Sequence, residues 1–447
     1  MASFIAETGY EDLPSEAIEV SKDAILDCIG VSLAGSQEEV SRILLPMLEE
    51  LGGQPVAGVI GGSLRSSPVL ASLANGVMAH ALDYDDVSDS WIGHPSTVLV
   101  PAILATAERC KSSGKEILTA YVIGFEVGAK LGMVLGQDHY AKGWHTTSTL
   151  GSLAGATAVA KLLKLDVQQI QMALGIAASL AGGLRENFGT MTKPLHAGNA
   201  ARNAVLAGLL AEKGFTATER ALTGQAAFAK VLGKDSQYDL DAVCRQLGSP
   251  FDVVSPGIWL KAYPSGAATQ SSISAALQLR SEHSFNADEV VEVECATSKA
   301  VPRILIHHHP KTGLEGKFSL EYCVSVALID GEVSLDQFTD ERALADDIQS
   351  LIPKVKYSHP PELEDKFGFH VPGIVTAKLR NGAEFFSRVE SPKGRPENPM
   401  SKQEIWAKFE RCARPVLSPE KRAEVIKLVS NLEQTPEIGG LMNILIG

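Results

Sequence analysis

The sequence predicts a mainly α protein, a large all-helical domain carrying a smaller α+β lid domain. Three observations lead there. Apolar residues recur at helical spacing from residue 12 to about 250, the pattern turns to strict alternation near 290, and small residues are abundant. At 447 residues the chain exceeds what one hydrophobic core usually supports, so two domains are the expectation. Forty glycines and only 6% aromatic residues suit closely packed helices better than a sandwich.

The elements follow in order. Pro14-Ser15 opens the first clear helix, with Ile18, Ile25, Ile29 and Leu33 on one stripe and Gly35-Ser36 at its end. Periodic stretches then cover roughly 68–82, 98–110, 114–134, 148–163, 167–182, 197–213, 217–222 and 238–247. Gly151-Ser152-Leu153-Ala154-Gly155-Ala156 has the small residues of a membrane helix face. Polar residues interrupt such stretches, however, and no apolar run reaches the ~18 uninterrupted residues of a span. A helix near 266–282 precedes residues 289–297, where Val291, Val293 and Cys295 alternate with Glu292 and Glu294 as in a half-buried strand. The runs 373–379 and 384–389 flank Asn381-Gly382, a strong hairpin signal. Residues 320–328 and 340–351 read as helices. Ser391-Pro392-Lys393-Gly394-Arg395-Pro396 is a turn-rich exit to helices at 401–412 and 418–432. The expected division is 1–255 helical, 256–395 α+β, and 396–447 returning to the first domain.

Charge and cysteines narrow the function. The formal net charge is −13 with no Lys/Arg-rich run, which argues against nucleic acid. The first residues lack the basic region and apolar run of a signal peptide, so a cytoplasmic protein without a membrane partner is expected. Six scattered cysteines with no CxxC pair read as reduced thiols. An acidic protein that binds a small anion must gather its cations in one pocket.

Candidate pockets are few. His80-Ala-Leu-Asp83-Tyr-Asp85-Asp86-Val-Ser-Asp89-Ser-Trp91-Ile92-Gly-His94-Pro95-Ser96 packs four carboxylates and two histidines between two helical stretches. A solvated acidic loop is the alternative, but Trp91 and Ile92 inside it suggest apolar anchors. The following helix N-terminus could face an anion. Asp85-Asp86-Val-Ser-Asp89 matches the DDxxD magnesium-diphosphate motif, yet no second motif of that kind accompanies it. His307-His308-His309 reads as a loop, since three adjacent histidines cannot all face one ion. His145 precedes Thr146-Thr147-Ser148-Thr149 at the start of a helix, where its protonated form is disfavoured. Lys193, His196 and Arg202 lie before and inside the next helix, and Lys261-Ala-Tyr263-Pro264-Ser265-Gly266 lies at the domain boundary, where clefts form. No phosphate-loop or dinucleotide fingerprint occurs.

Taken together, HALDYDD…GHPS, GWHTTSTLG, NFGTMTKPLHAGNAAR, KAYPSG, EGKFSLEYC and the late Asn398-Pro399-Met400-Ser401 resemble the MmgE/PrpD family along nearly the whole chain. That family includes 2-methylcitrate dehydratase, cis-aconitate decarboxylase and iminodisuccinate epimerase. The resemblance implies a helical domain with an α+β lid, a homodimer, an active site between the domains and no cofactor or metal. It implies Asp83, His94, His145, Lys193, Lys261 and Tyr322 as catalytic residues; by their side chains alone Tyr322 would be core. His80, Ser96, Thr146, Arg202 and Ser265 are the accompanying candidates for binding substrate. Two departures stand out. Ser265-Gly266 and Thr269-Gln270 replace the Cys-Cys and Thr-His of relatives, and Val87 stands where a decarboxylase-like member has threonine.

The substrate class sets the chemistry. Removing a proton alpha to a carboxylate needs a placed base and cations that stabilise the dianion. Lys193, Lys261, Arg202 and His94 are candidates for that field, His145 or a lysine for the base, and Tyr322 or His94 for the acid. The same carbanion serves a dehydratase, an epimerase or a decarboxylase acting on a small anionic polycarboxylate. Dehydration of a 2-methylcitrate-like acid is the leading expectation, epimerisation the next, and a non-catalytic binding role the most remote.

Overall fold

The structure, a computed structural model, describes residues 1–233, 239–363 and 371–446; position 238, the start of one expected helix, lies outside them. The chain divides into two compact units. The first comprises Met1–Asn187, Met191–Trp259 and the segment from Ser401 onward, and the second Phe188–Thr190 and Leu260–Met400. The principal helices of the first unit are α1 (Ser15–Gly35), α2 (Glu39–Leu51), α3 (Pro68–His80), α4 (Ser96–Cys110), α5 (Gly114–Ala141), α6 (Thr146–Leu162), α7 (Val167–Leu180) and α8 (Thr192–Glu212). The second unit contributes α9 (Gln270–Glu282) and α10 (Leu320–Asp330), and the chain ends in α11 (Lys402–Ala413) and α12 (Pro419–Ser430).

A mainly α protein with a small α/β region is what the sequence predicted. Several details differ, each for a physical reason. Helix α2 was not foreseen because Pro46, ordinarily a breaker, sits inside it. Helix α8 starts five residues earlier than expected, since Pro194 lies in the first turn, where no intrahelical N–H bond is lost. Residues 217–222 are not helical: the chain turns over 219–223, closed by the Gly224 N–H donating to the Arg220 carbonyl. The first unit also holds a minimal two-stranded pair, Ala57–Gly58 with Arg65–Ser66.

The core of the first unit is built on small residues. Helix α6 is buried on all its faces rather than along one stripe, the mark of a central helix. Helix α5 is long and apolar enough to cross a membrane, yet 89% of its most apolar window is buried inside the protein. Helices α3 and α8 cross in contact at Gly76 and Gly198. A Cβ on Gly76 would lie 2.7 Å from the Gly198 Cα, and one on Gly198 would lie 2.4 Å from the Leu73 carbonyl oxygen. This approach brings the last residue of α3, His80, beside the first turn of α8.

In the second unit four strands, β1 (Val290–Ala296), β2 (Val355–Ser358), β3 (Gly373–Leu379) and β4 (Glu384–Val389), form one sheet in the order β2-β1-β3-β4. The hairpin β3–β4 pairs Val375 with Ser387, and β1 pairs antiparallel with β3 and parallel with β2. Strand β2 had no alternation long enough to be read. On β1, Val293 and Cys295 are buried as expected but Val291 is 47% exposed, because the register shifts between Val290 and Glu292.

The contact of α3 with α8 is testable. Alanine normally favours a helix over glycine by about 1 kcal/mol. At position 198 the added methyl meets backbone that cannot swing away, so Gly198→Ala should lower stability by about 1–3 kcal/mol in urea unfolding. Equal or greater stability would mean that the two helices are not held in contact there.

Candidate active site

The segment after α3 is anchored, not solvated. Trp91 and Ile92 are buried, and the Trp91 indole N–H donates to the Phe125 carbonyl of α5 at 3.1 Å. A Cβ on Gly128 would lie 2.0 Å from the indole, so only glycine leaves room for that ring. Ser88 and Gly93 exchange backbone hydrogen bonds, and Val87 does the same with Trp259. From the C-terminal side, the Lys408 ammonium of α11 binds Asp27 at 2.7 Å, donates to the Tyr84 carbonyl at 2.8 Å, and lies 4.0 Å from the Tyr84 ring. Asp83 takes a left-handed backbone conformation, φ 51°, which aspartate tolerates better than most residues.

So held, the loop places its acids around one lysine. Lys193, 3% exposed in the first turn of α8, donates to Asp83 Oδ2 at 2.5 Å and to His80 Nε2 at 2.9 Å. His80 in turn contacts Asp85 through Nδ1 at 2.9 Å, and His94 Nδ1 lies 3.1 Å from the same carboxylate. His94 Nδ1 also reaches the Asp86 carbonyl at 2.8 Å, and its Nε2 is 4.0 Å from Asp83 Oδ1. Burial lowers the His80 pKa to about 4, with Lys193 and His94 adding to the effect against the pull of Asp85. Burial alone would raise the Asp85 carboxyl; the charges and hydrogen bonds of His80 and His94 hold it well below its ordinary value. Asp86, whose carboxylate accepts the Ser96 N–H at 3.1 Å, is pushed by burial up to about 8.

A second pair of histidines adjoins this group. His145 is the N-cap residue of α6, its N–H bonded to the Gly183 carbonyl at 3.0 Å. Its Nδ1 lies 3.1 Å from Nδ1 of His196, one helical turn beyond Lys193. Burial holds the His145 pKa well below its usual value, with Lys193 adding to it, and lowers His196 to about 4. Both rings are therefore neutral, and one donates to the lone pair of the other. The rings of His80 and His145 are 5.8 Å apart, and those of His94 and His145 6.5 Å. One buried cation thus sits among two carboxylates and four imidazoles, an arrangement able to move protons and to stabilise negative charge.

His80, Asp85 and His94 offer ligand atoms within 4.8 Å of one another, the spacing of a metal site. The donor set fits a hydrogen-bonded relay better. Both Nδ1 atoms are engaged with Asp85, and a second cation would stand beside the Lys193 ammonium.

Of the residues singled out in the sequence, the structure brings together His80, Asp83, His94, His145 and Lys193. Ser96 lies behind the cluster, its hydroxyl 2.6 Å from the Tyr121 hydroxyl. The Thr146 hydroxyl donates to the Ile92 carbonyl; its neighbour Thr147 accepts the His94 N–H at 3.1 Å. Arg202 stands nine residues, about 13 Å, along α8 from Lys193 and on the opposite side of the helix, where it donates to Asn203. It is not part of the group. Lys261, Ser265 and Tyr322 belong to the second unit. Lys261 is fully buried and donates to the Ser265 carbonyl at 3.3 Å, and the Ser265 hydroxyl lies 2.7 Å from that of Thr269. Tyr322 is also fully buried, its hydroxyl donating to the Gln337 carbonyl and its ring beside Phe338, which is the environment of a core tyrosine. Asp85, Asp86 and His196 were not among the chosen candidates. The signal for His196 was present: it follows Lys193 at i+3, on the same helix face.

Family models for the MmgE/PrpD N-terminal and C-terminal domains match residues 1–241 and 263–434. The chain is 27% identical to the cis-aconitate decarboxylase-like protein oryM of Aspergillus oryzae, over 100% of this chain and 96% of that protein. It is 28% identical to the cis-aconitate decarboxylase of Homo sapiens, over 97% and 91% of the two chains. A probable 2-methylcitrate dehydratase of Saccharomyces cerevisiae is 24% identical over 79% of this chain and 72% of its own.

The neutral histidines make stability depend on pH. Between about pH 4 and 6.5, His80 and His196 bind protons only when the chain unfolds, so their contribution rises with pH across that window. For a fully buried ring such as His80 the slope approaches roughly 1.4 kcal/mol per pH unit. Asp86 acts with the opposite sign, its contribution falling as pH rises from about 4 to 8. The stability lost between pH 6.5 and 4.5 should be smaller in His196→Asn than in the parent chain. An identical pH slope in chemical unfolding would show that folding does not depress the His196 pKa.

Proposed function

The chain belongs to the MmgE/PrpD family, and from that premise we propose that it is a lyase releasing carbon dioxide from a small unsaturated polycarboxylate of the cis-aconitate type. The observation that carries this reading is Lys193. Its ammonium is buried, fixed by Asp83 and His80, and surrounded by imidazoles that burial keeps neutral, so it is the cation of the cluster. Relatives named as cis-aconitate decarboxylases align with 96% to 97% of the chain and a decarboxylase-like one with 100%, whereas those named as 2-methylcitrate dehydratases or probable ones align with 79% and 81%.

The step balances as follows. The carbon–carbon bond to the departing carboxylate breaks, carbon dioxide leaves, and the electron pair stays on the substrate, delocalised into a neighbouring carboxylate. Lys193 stabilises that charge more than it stabilises the ground state, because the charge develops next to it in a site with little water. Its ammonium then supplies the proton that replaces carbon dioxide, and solvent restores it after release. His80 and Asp83 keep the ammonium aimed throughout.

Dehydration of a 2-hydroxy tricarboxylate is the second reading, supported by the dehydratase relatives and by Val87 in place of threonine. Proton NMR in deuterated water separates the two. With cis-aconitate, one solvent deuterium should enter a carbon of the product in step with carbon dioxide. Alkene formation from 2-methylcitrate without carbon dioxide would replace the first reading by the second. Lys193→Met should lower kcat by about 100-fold or more with circular dichroism unchanged. Unimpaired turnover in that variant would remove Lys193 from the chemistry under either reading.

A further inference from the structure

Asp85 is buried, fully enclosed, and flanked by two histidines that share it. His80 Nδ1 lies 3.0 and 2.9 Å from its two oxygens, and His94 Nδ1 lies 3.1 Å from Oδ2. His94 Nδ1 also faces the Asp86 carbonyl oxygen at 2.8 Å. An ionised carboxylate and a carbonyl oxygen can only accept. Each Nδ1 must therefore carry the proton, and in a neutral imidazole the lone pair is then on Nε2. For His80, which burial keeps neutral, that lone pair meets the Lys193 ammonium at 2.9 Å.

We infer that Asp85 is a positioning residue that holds the Nδ1 protons of two histidines at once, and so turns the Nε2 lone pair of His80 toward the Lys193 ammonium. It touches neither lysine nor substrate in this role; it acts through His80 and His94. The aim of the Lys193 ammonium then depends on a carboxylate one residue removed from it. The inference rests on the reading of this cluster as the site of proton transfer, but its structural content can be measured without any substrate.

Asp85→Asn is the informative change, because it keeps the shape and replaces one acceptor by a donor. An amide N–H facing an imidazole forces that Nδ1 to accept, which moves the proton to Nε2. At His80 this would set N–H against ammonium and break the bond to Lys193. Selective nitrogen-15 labelling of the eleven histidines reads the tautomers directly, with His80→Gln and His94→Gln assigning the two signals. In the parent chain near neutral pH both should be protonated at Nδ1, and His80 should carry no proton at Nε2. In Asp85→Asn at least one should invert, and kcat should fall by about 1,000- to 10,000-fold with KM changed less than threefold. Asp85→Glu, which restores the carboxylate, should restore the tautomers and part of kcat. A His80 protonated at Nε2, or a His94 lacking its Nδ1 proton, in the parent chain overturns the inference, whether or not Asp85→Asn folds. So does a folded Asp85→Asn with inverted tautomers and undiminished kcat. Tautomers as stated, with no polycarboxylate turned over by the parent chain, would uphold the positioning role and refute the lyase reading instead.

Discussion

The arrangement depends on one buried ion pair, Lys193 with Asp83, in the interior of the helical unit. A charge taken from water into such an interior is stable only if its partners are placed well, and removing one partner of a buried pair typically costs about 3–5 kcal/mol. That requirement propagates outward. His80 accepts from the lysine, Asp85 accepts from His80 and His94, and the Asp86 carbonyl accepts from His94. Each group that satisfies one neighbour must itself be satisfied, so the loop, two helix ends and four imidazoles become a single constraint.

Small residues and a few large anchors supply the rigidity this needs. Gly76 and Gly198 let α3 and α8 touch, which sets the distance between His80 and Lys193. Trp91, seated over Gly128 of α5, and Lys408, reaching Tyr84 from α11, hold the acidic loop from two sides. The loop is rich in carboxylates yet buried, because its apolar and basic anchors come from helices far away in sequence.

The electrostatics follow from the same enclosure. Burial keeps His80, His145 and His196 neutral, so the cation among these rings is the Lys193 ammonium, paired with Asp83.

Much of this was legible in the sequence, and the reason is local. Helical periodicity, the alternation near 290, the Asn381-Gly382 hairpin and the clustering of His80, Asp83 and His94 all lie within short stretches, where spacing alone carries information. His145 before its run of hydroxyls and Lys193 before its helix were legible in the same way, and the family resemblance added Tyr322. What escaped was decided by long-range contacts. Helix α2 formed despite Pro46, strand β2 exists through its pairing with β1, Arg202 turned to the far side of α8, and Tyr322 gave its hydroxyl to a backbone carbonyl. Above all, Asp85 and His196 gained importance only when folding set each beside another histidine. Sequence thus determined which chemical groups were available and on which elements they ride. Tertiary structure decided their protonation and partners, because both depend on burial and on hydrogen bonds between residues distant along the chain.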